Sequence, residues 1–229
     1  MEITTLRLQT AHLDAQRAFY TEVLGLPLIA QAPDAFTSRA GATHLTFASA
    51  SGNVAPYHFA FNIPRNKLNG AKQFLAAHVP LLTEDGRDQF HSDDWNADMV
   101  YFRDPAGNIA ECIARHTLAN DAPGAFEPAD ILCVSEIGVP VNDVTDSIAA
   151  LGTRLGLRPY GERSAQFAPM GDERGLLIMV QIGRHWYPNQ TAAGIAPIAL
   201  TMRGPRADTY EVPDLPYRLT MVTTDEERA

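Results

Sequence analysis

The chain has 229 residues, 45% of them hydrophobic and 20% charged, with a formal net charge of −9. That is enough apolar material to bury a substantial core in one large or two small domains. The acidic balance and the lack of any Lys/Arg cluster argue against nucleic acid or an anionic membrane surface as a partner, because both are held through basic surface.

A small-molecule partner is therefore expected. The opening MEITTLRLQT has no basic segment followed by an apolar stretch, and no run of 18 apolar residues occurs, so neither a signal peptide nor a membrane span is expected. Cys112 and Cys133 each sit in an apolar, strand-like run. Buried free thiols in a reducing cytoplasm are the expectation.

Residues 3–10 read as a strand, with Thr5, Arg7 and Gln9 on one face. From His12 the apolar period becomes helical through Leu13, Phe19 and Leu24, and Gly25 stands where a C-terminal cap glycine would. Short strands at residues 28–31, 35–39 and 43–48 complete a β-α-β-β-β unit. A second unit starts at residues 57–63, where Phe59, Phe61 and Ile63 alternate with His58, Ala60 and Asn62. It continues through a helix from about Asn66 to His78 and a strand at residues 79–83. Residues 85–96 are polar and read as a loop or lid carrying His91 and Trp95. The unit ends in a hairpin, in which an apolar run reaches the turn Asp104-Pro105-Ala106-Gly107-Asn108 and a second run leaves it. Glu111 sits among Ile109, Ala110, Cys112 and Ile113, where an ionised group is costly unless paired.

Residues 119–130 contain Pro123, Gly124 and Pro128 and read as a linker. A third unit follows. Gly25 and Gly156 lie 131 positions apart, as do Thr5 and Glu136, so the repeat runs without a gap. Residues 198–202 and 217–222 read as strands of a fourth, degenerate unit with no helix between them. The division expected is one domain over residues 1–118, the linker, and a second, partly degenerate domain over residues 131–229.

The phrase Phe19-Tyr20-Thr21-Glu22-Val23-Leu24-Gly25-Leu26, the strand start His58-Phe59-Ala60-Phe61 and the hairpin from Tyr101 through Glu111 together resemble the vicinal oxygen chelate superfamily, which includes glyoxalase I, the bleomycin and fosfomycin resistance proteins and the extradiol dioxygenases. The resemblance implies an α+β fold of repeated β-α-β-β-β units whose curved mixed sheets surround a concave cavity. Metal ligands are then expected on the first and last strands of the units. It assigns His58 and Glu111 as ligands of a divalent metal (Fe, Mn or Zn), with Thr5 at the position where another ligand would stand. Glu136 takes the first-strand ligand position of unit three, with Met179 at the matching last-strand position, so a structural carboxylate is expected there.

Thr5, Arg7, Gln9 and Trp95 are expected to line the substrate cavity, and His91, a group that titrates near neutrality, to act as acid or base. His12, His78, His116 and His185 read as surface residues, and the segment from Arg184 to Pro188 as a brace between the halves. Two functions follow: a metal-dependent enzyme that binds vicinal oxygens of its substrate, by ring cleavage or glyoxalase-like isomerisation, or a metal-free binding protein of the bleomycin-sequestering kind. A homodimer is expected because members of the superfamily often pair to complete their sheets.

Overall fold

The structure is a computed structural model and describes residues 1–223. Its first unit comprises β1 (Glu2–Thr10), α1 (Leu13–Ala18) extended by a π-helical turn (Phe19–Val23), β2 (Leu28–Ala32), β3 (Ala35–Ala40) and β4 (Thr43–Ser49). The second comprises β5 (His58–Ile63), α2 (Leu68–Ala76), β6 (Phe90–Ser92), β7 (Ala97–Arg103) and β8 (Ile109–Arg115). The third has β9 (Cys133–Val141), α3 (Val144–Leu155), β10 (Phe167–Asp172) and β11 (Gly175–Gln181). The last part supplies β12 (Ile198–Arg203), β13 (Asp208–Glu211) and β14 (Tyr217–Val222). No helix among the described residues is long and apolar enough to cross a membrane.

Local chemistry explains the helix ends. Asp143 caps α3 by accepting from the Asp146 N–H at 2.9 Å, and Gly156 closes it in the left-handed conformation (φ 69°). Gly25 turns the chain in the same way (φ 68°), and an added Cβ would meet Pro128 of the linker at 2.8 Å. One expected strand changes. Residues 79–83 make only an isolated bridge, Leu81 to Phe102, and the second unit instead draws β6 from the segment expected to be a loop. The polar side chains of that segment face outward while Phe90 is buried, which is the half-buried pattern of an edge strand too short to show its period. β13 was likewise not expected from the sequence, and it is only four residues long.

The strands form two seven-stranded mixed sheets, ordered β13-β14-β12-β1-β4-β3-β2 and β10-β11-β9-β5-β8-β7-β6. Unit one thus shares a sheet with the fourth, and unit two with unit three. Inside each sheet the units meet through antiparallel pairs of first strands, β1 with β12 and β5 with β9. One large apolar core fills the space between the sheets, drawing Leu6, Leu8 and Phe47 from the first and Phe59, Phe61, Ile137 and Val139 from the second. A smaller cluster lies on the other face of the second sheet and includes Ala60, Tyr101, Ile113, Ile178 and Trp186. β5 is therefore buried on both faces, and its alternation divides Phe59 and Phe61 from His58 and Ala60.

The linker is held down by Lys67, which is 4% exposed. Its ammonium donates to the carbonyls of Pro123 (2.7 Å), Gly124 (3.0 Å) and Ala125 (2.7 Å) and lies 3.3 Å from Asp130. A chain segment without ladder partners has its carbonyls satisfied by one buried cation.

Candidate functional site

The cavity on the second sheet has a volume of about 360 Å³ and is bounded by His58, Trp95, Tyr101, Glu111, Glu136 and Trp186, among others. Its floor follows from strand register. Tyr101 pairs with Glu111, Glu111 with Ala60, Ala60 with Glu136, and Glu136 with Leu176, so these residues form one row across β7, β8, β5, β9 and β11. Residues in such a row share a face. Ala60 at the centre is small enough to leave the space above it to the two carboxylates. A register shift in the β5–β9 pairing between Ala60 and Phe61 sets Glu136 in this row. His58, two residues before Ala60, is on the same face.

Ligand-capable atoms of His58, Glu111 and Glu136 lie within 4.8 Å of one another, and all three residues are buried. His58 Nε2 is 3.7 Å from Glu111 Oε2, while its Nδ1 is 3.2 Å from the carbonyl of Ile109. That carbonyl can only accept, so the Nδ1 proton is placed on it and the Nε2 lone pair faces the carboxylates. Burial lowers the His58 pKa to about 4, which keeps the ring neutral. Trp186 packs against the ring with centroids 5.0 Å apart.

Burial also raises the pKa of Glu111, and the charge of Glu136 adds to the rise, while Arg115 and a hydrogen bond from Tyr101 oppose it. Burial raises Glu136 as well, against the pull of Arg115, which donates directly to Oε1. Arg115 is fully buried, gives its Nε–H to Asn62 Oδ1 at 3.1 Å, and lies 5.2 Å over the ring of Trp95. Two carboxylates and one guanidinium leave a net negative charge at this buried cluster. Either a proton, held chiefly on Glu111, or a cation can balance it.

These residues fit a divalent ion. Their donor atoms lie within about the 4 Å span of two metal–ligand bonds plus modest adjustment, and the histidine has the outer hydrogen bond that fixes a ligating tautomer. One imidazole and two carboxylates suit Fe²⁺, Mn²⁺ or Zn²⁺.

The remaining expected residues fall in different places. Trp95 and His91 do border this cavity. Thr5, Arg7 and Gln9 do not: they belong to the first sheet, where Thr5 borders a cleft of about 720 Å³ with His44 and Arg174, and Arg7 and Gln9 border a smaller depression with Tyr217. The pairing of unit one with the fourth, rather than with unit two, carries them away from His58. His44 lies beside Thr5 in the β1–β4 register and is exposed. Met179 faces the large core and Ile178 takes the cavity side, because successive residues of β11 point to opposite faces.

The segment from Arg184 to Pro188 roofs the cavity: Arg184, Trp186 and Tyr187 border it, and the roof is tied down by Tyr187 to Glu84 (2.9 Å) and by Arg103 to Thr191 (2.7 Å). Its benzenoid edge rests where a side chain on residue 138 would stand, since a Cβ on Gly138 would be 2.4 Å from Trp186. Glu136 was visible in the sequence as the repeat-mate of Thr5, yet nothing local says that units two and three share a sheet. Arg115 gave no signal beyond an arginine closing an apolar strand.

Comparison with known proteins agrees with the fold. The family model "Glyoxalase/Bleomycin resistance protein/Dioxygenase superfamily" matches residues 2–112. No curated protein matches the chain in sequence. Among solved structures, a proposed dioxygenase from Bacillus subtilis subsp. subtilis str. 168 superposes with a TM-score of 0.67 at 19% identity, covering 97% of this chain and 85% of that one. Glyoxalase I from Zea mays gives 0.59 at 14% identity, covering 99% and 94%, and its V278E variant gives 0.60 at 16%, covering 99% and 94%. At these identities the likeness is one of fold. Residues 2–112 thus belong to the glyoxalase/bleomycin resistance protein/dioxygenase superfamily by its family model, and the chain as a whole shares the fold of these structures.

Proposed function

We propose that this protein is a metal-dependent enzyme acting on a small molecule in the roofed cavity, with His58, Glu111 and Glu136 as the ligands. The observation that supports this most directly is the convergence of three buried donors on one face, with the histidine proton committed to Ile109. A divalent ion held there would supply Lewis acidity toward neighbouring oxygens of a substrate, lowering the pKa of a hydroxyl or stabilising an enediolate.

The chain's own groups do the rest. Tyr101 donates to Glu111 and fixes its carboxylate. Arg115 opposes the burial that raises the Glu136 pKa and holds the carboxylate in place, and Trp186 keeps the His58 ring from rotating and excludes water. Aromatic walls from Phe90, Trp95, Phe167 and Tyr187 favour a substrate with a flat or apolar body. Arg184, stacked 4.9 Å over Phe167, is the cation at the cavity wall. Ring cleavage and isomerisation are both compatible with this arrangement.

A metal-free binding protein is the second reading, favoured by the Arg115–Glu136 ion pair, which already gives one carboxylate a partner. Metal analysis of tag-free protein separates the two. An equivalent of Fe²⁺, Mn²⁺ or Zn²⁺ present in wild type and absent from His58→Ala supports the enzyme. Absence of any interior uptake leaves the binding protein.

A further inference from the structure

We propose that His91, Asp98 and His116 form a second divalent-metal site on the β6 rim of the second sheet, distinct from the interior cluster. The three side chains are brought together by register. His91 on β6 is directly opposite Asp98 on β7, and Asp98 is opposite Ala114 on β8. His116, two positions beyond Ala114, returns to the same face, and its N–H continues the ladder by donating to the Asn96 carbonyl at 2.9 Å. The donors are thus carried by three neighbouring backbone segments of one sheet.

Asp98 is bridged on both oxygens, by His91 Nδ1 at 2.7 Å and by His116 Nε2 at 2.8 Å, and ligand atoms of all three residues lie within 4.8 Å of one another. One ion at ordinary bond lengths of about 2.0–2.2 Å can replace the shared protons with little movement. The outer arrangement is also present: His91 Nε2 is 3.2 Å from Asp93 Oδ1, so the nitrogen that does not face Asp98 gives its proton to a second carboxylate. This is the carboxylate–histidine pairing that orients a metal-bound imidazole. The side chains are 51%, 28% and 36% exposed, so water can complete the coordination shell.

Two imidazoles and one carboxylate select Zn²⁺ or a similar borderline ion over Ca²⁺ or Mg²⁺, which take oxygen ligands. Because both ring nitrogens of His91 face carboxylates, this arrangement suits ligation better than the acid–base role expected from its residue type.

The test is titration of tag-free, full-length protein with Zn²⁺, followed by calorimetry, and with Co²⁺, followed by visible absorbance, in wild type, His58→Ala, His116→Ala and the double variant. His58→Ala should still bind about one equivalent, and the double variant none. Asp93→Ala should weaken the rim site by about tenfold without changing stoichiometry. Equal uptake by His58→Ala and the double variant, or no uptake by His58→Ala, overturns the proposal. If instead His58→Ala matches wild type while His116→Ala loses an equivalent, the rim site stands and the interior assignment falls.

Discussion

Arg115 is fully buried and faces Glu136, Asn62 and the ring of Trp95. Arg115→Met should lower stability by about 3–5 kcal/mol, since it strands a buried carboxylate, and a double change with Glu136→Leu should recover most of the loss. Denaturant melts of the three variants check this; a double variant no better than the single would show that packing, not charge, is at stake. Asp104 presents the opposite case. It sits in the hairpin turn, buried, and accepts from Gln16 (2.7 Å), Tyr20 (2.8 Å) and Asn108 (2.8 Å) on one oxygen and from the N–H groups of Ala106 and Asn108, both at 3.0 Å, on the other.

Burial raises the Asp104 pKa despite these donors. A raised carboxyl pKa means the folded state binds more protons than the unfolded one, so this group's contribution is present at acid pH and declines as pH rises above the ordinary carboxyl range. Asp104→Ala should cost about 3 kcal/mol through its orphaned donors, and the gap to wild type should narrow from pH 4 to pH 7. A gap that widens over that range would mean the carboxylate is stabilised in its ionised form.

At the scale of elements, the cavity depends on small residues where strands must admit something else. Gly138 gives Trp186 its seat on β9. Gly138→Ala should displace that ring from His58 and shift tryptophan emission in a Trp95→Phe background; unchanged emission would mean the roof is held by its other ties. Most elements could be read from the sequence because their periods are local: the alternation of β5, the helical spacing and cap of α3, and the hairpin turn at Asp104. β6 and β13 could not, being too short for a period to register. The same limit applies to the roof, where Arg184, Trp186 and Tyr187 look like an aromatic cluster in sequence and only contact with His58 makes them cavity wall.

At the scale of the molecule, the pairing of units decides which residues meet. Repeat spacing reveals the units and the family resemblance points to His58 and Glu111, but which units share a sheet is a non-local choice that no local pattern records. That is why sequence alone points to Thr5, Arg7 and Gln9 as cavity residues, whereas the sheet pairing puts Glu136 beside His58 and Glu111 and the other three at separate depressions. The same pairing bears on the division at residues 119–130. A fragment of residues 1–118 would lack the β12 partner of β1 and the β9 partner of β5, so it should aggregate or associate through those edges. A soluble monomer that unfolds cooperatively would instead show the linker to be a domain boundary.

The central claim is that Glu136 completes a metal site with His58 and Glu111. It is tested most directly by measuring Fe²⁺ and Zn²⁺ affinity in a background lacking His91 and His116, comparing Glu136→Gln with its parent. The account predicts high occupancy in the parent and a loss of affinity of about a hundredfold or more in the variant. Equal affinity in the two proteins would contradict it and return Glu136 to the role of counter-ion for Arg115.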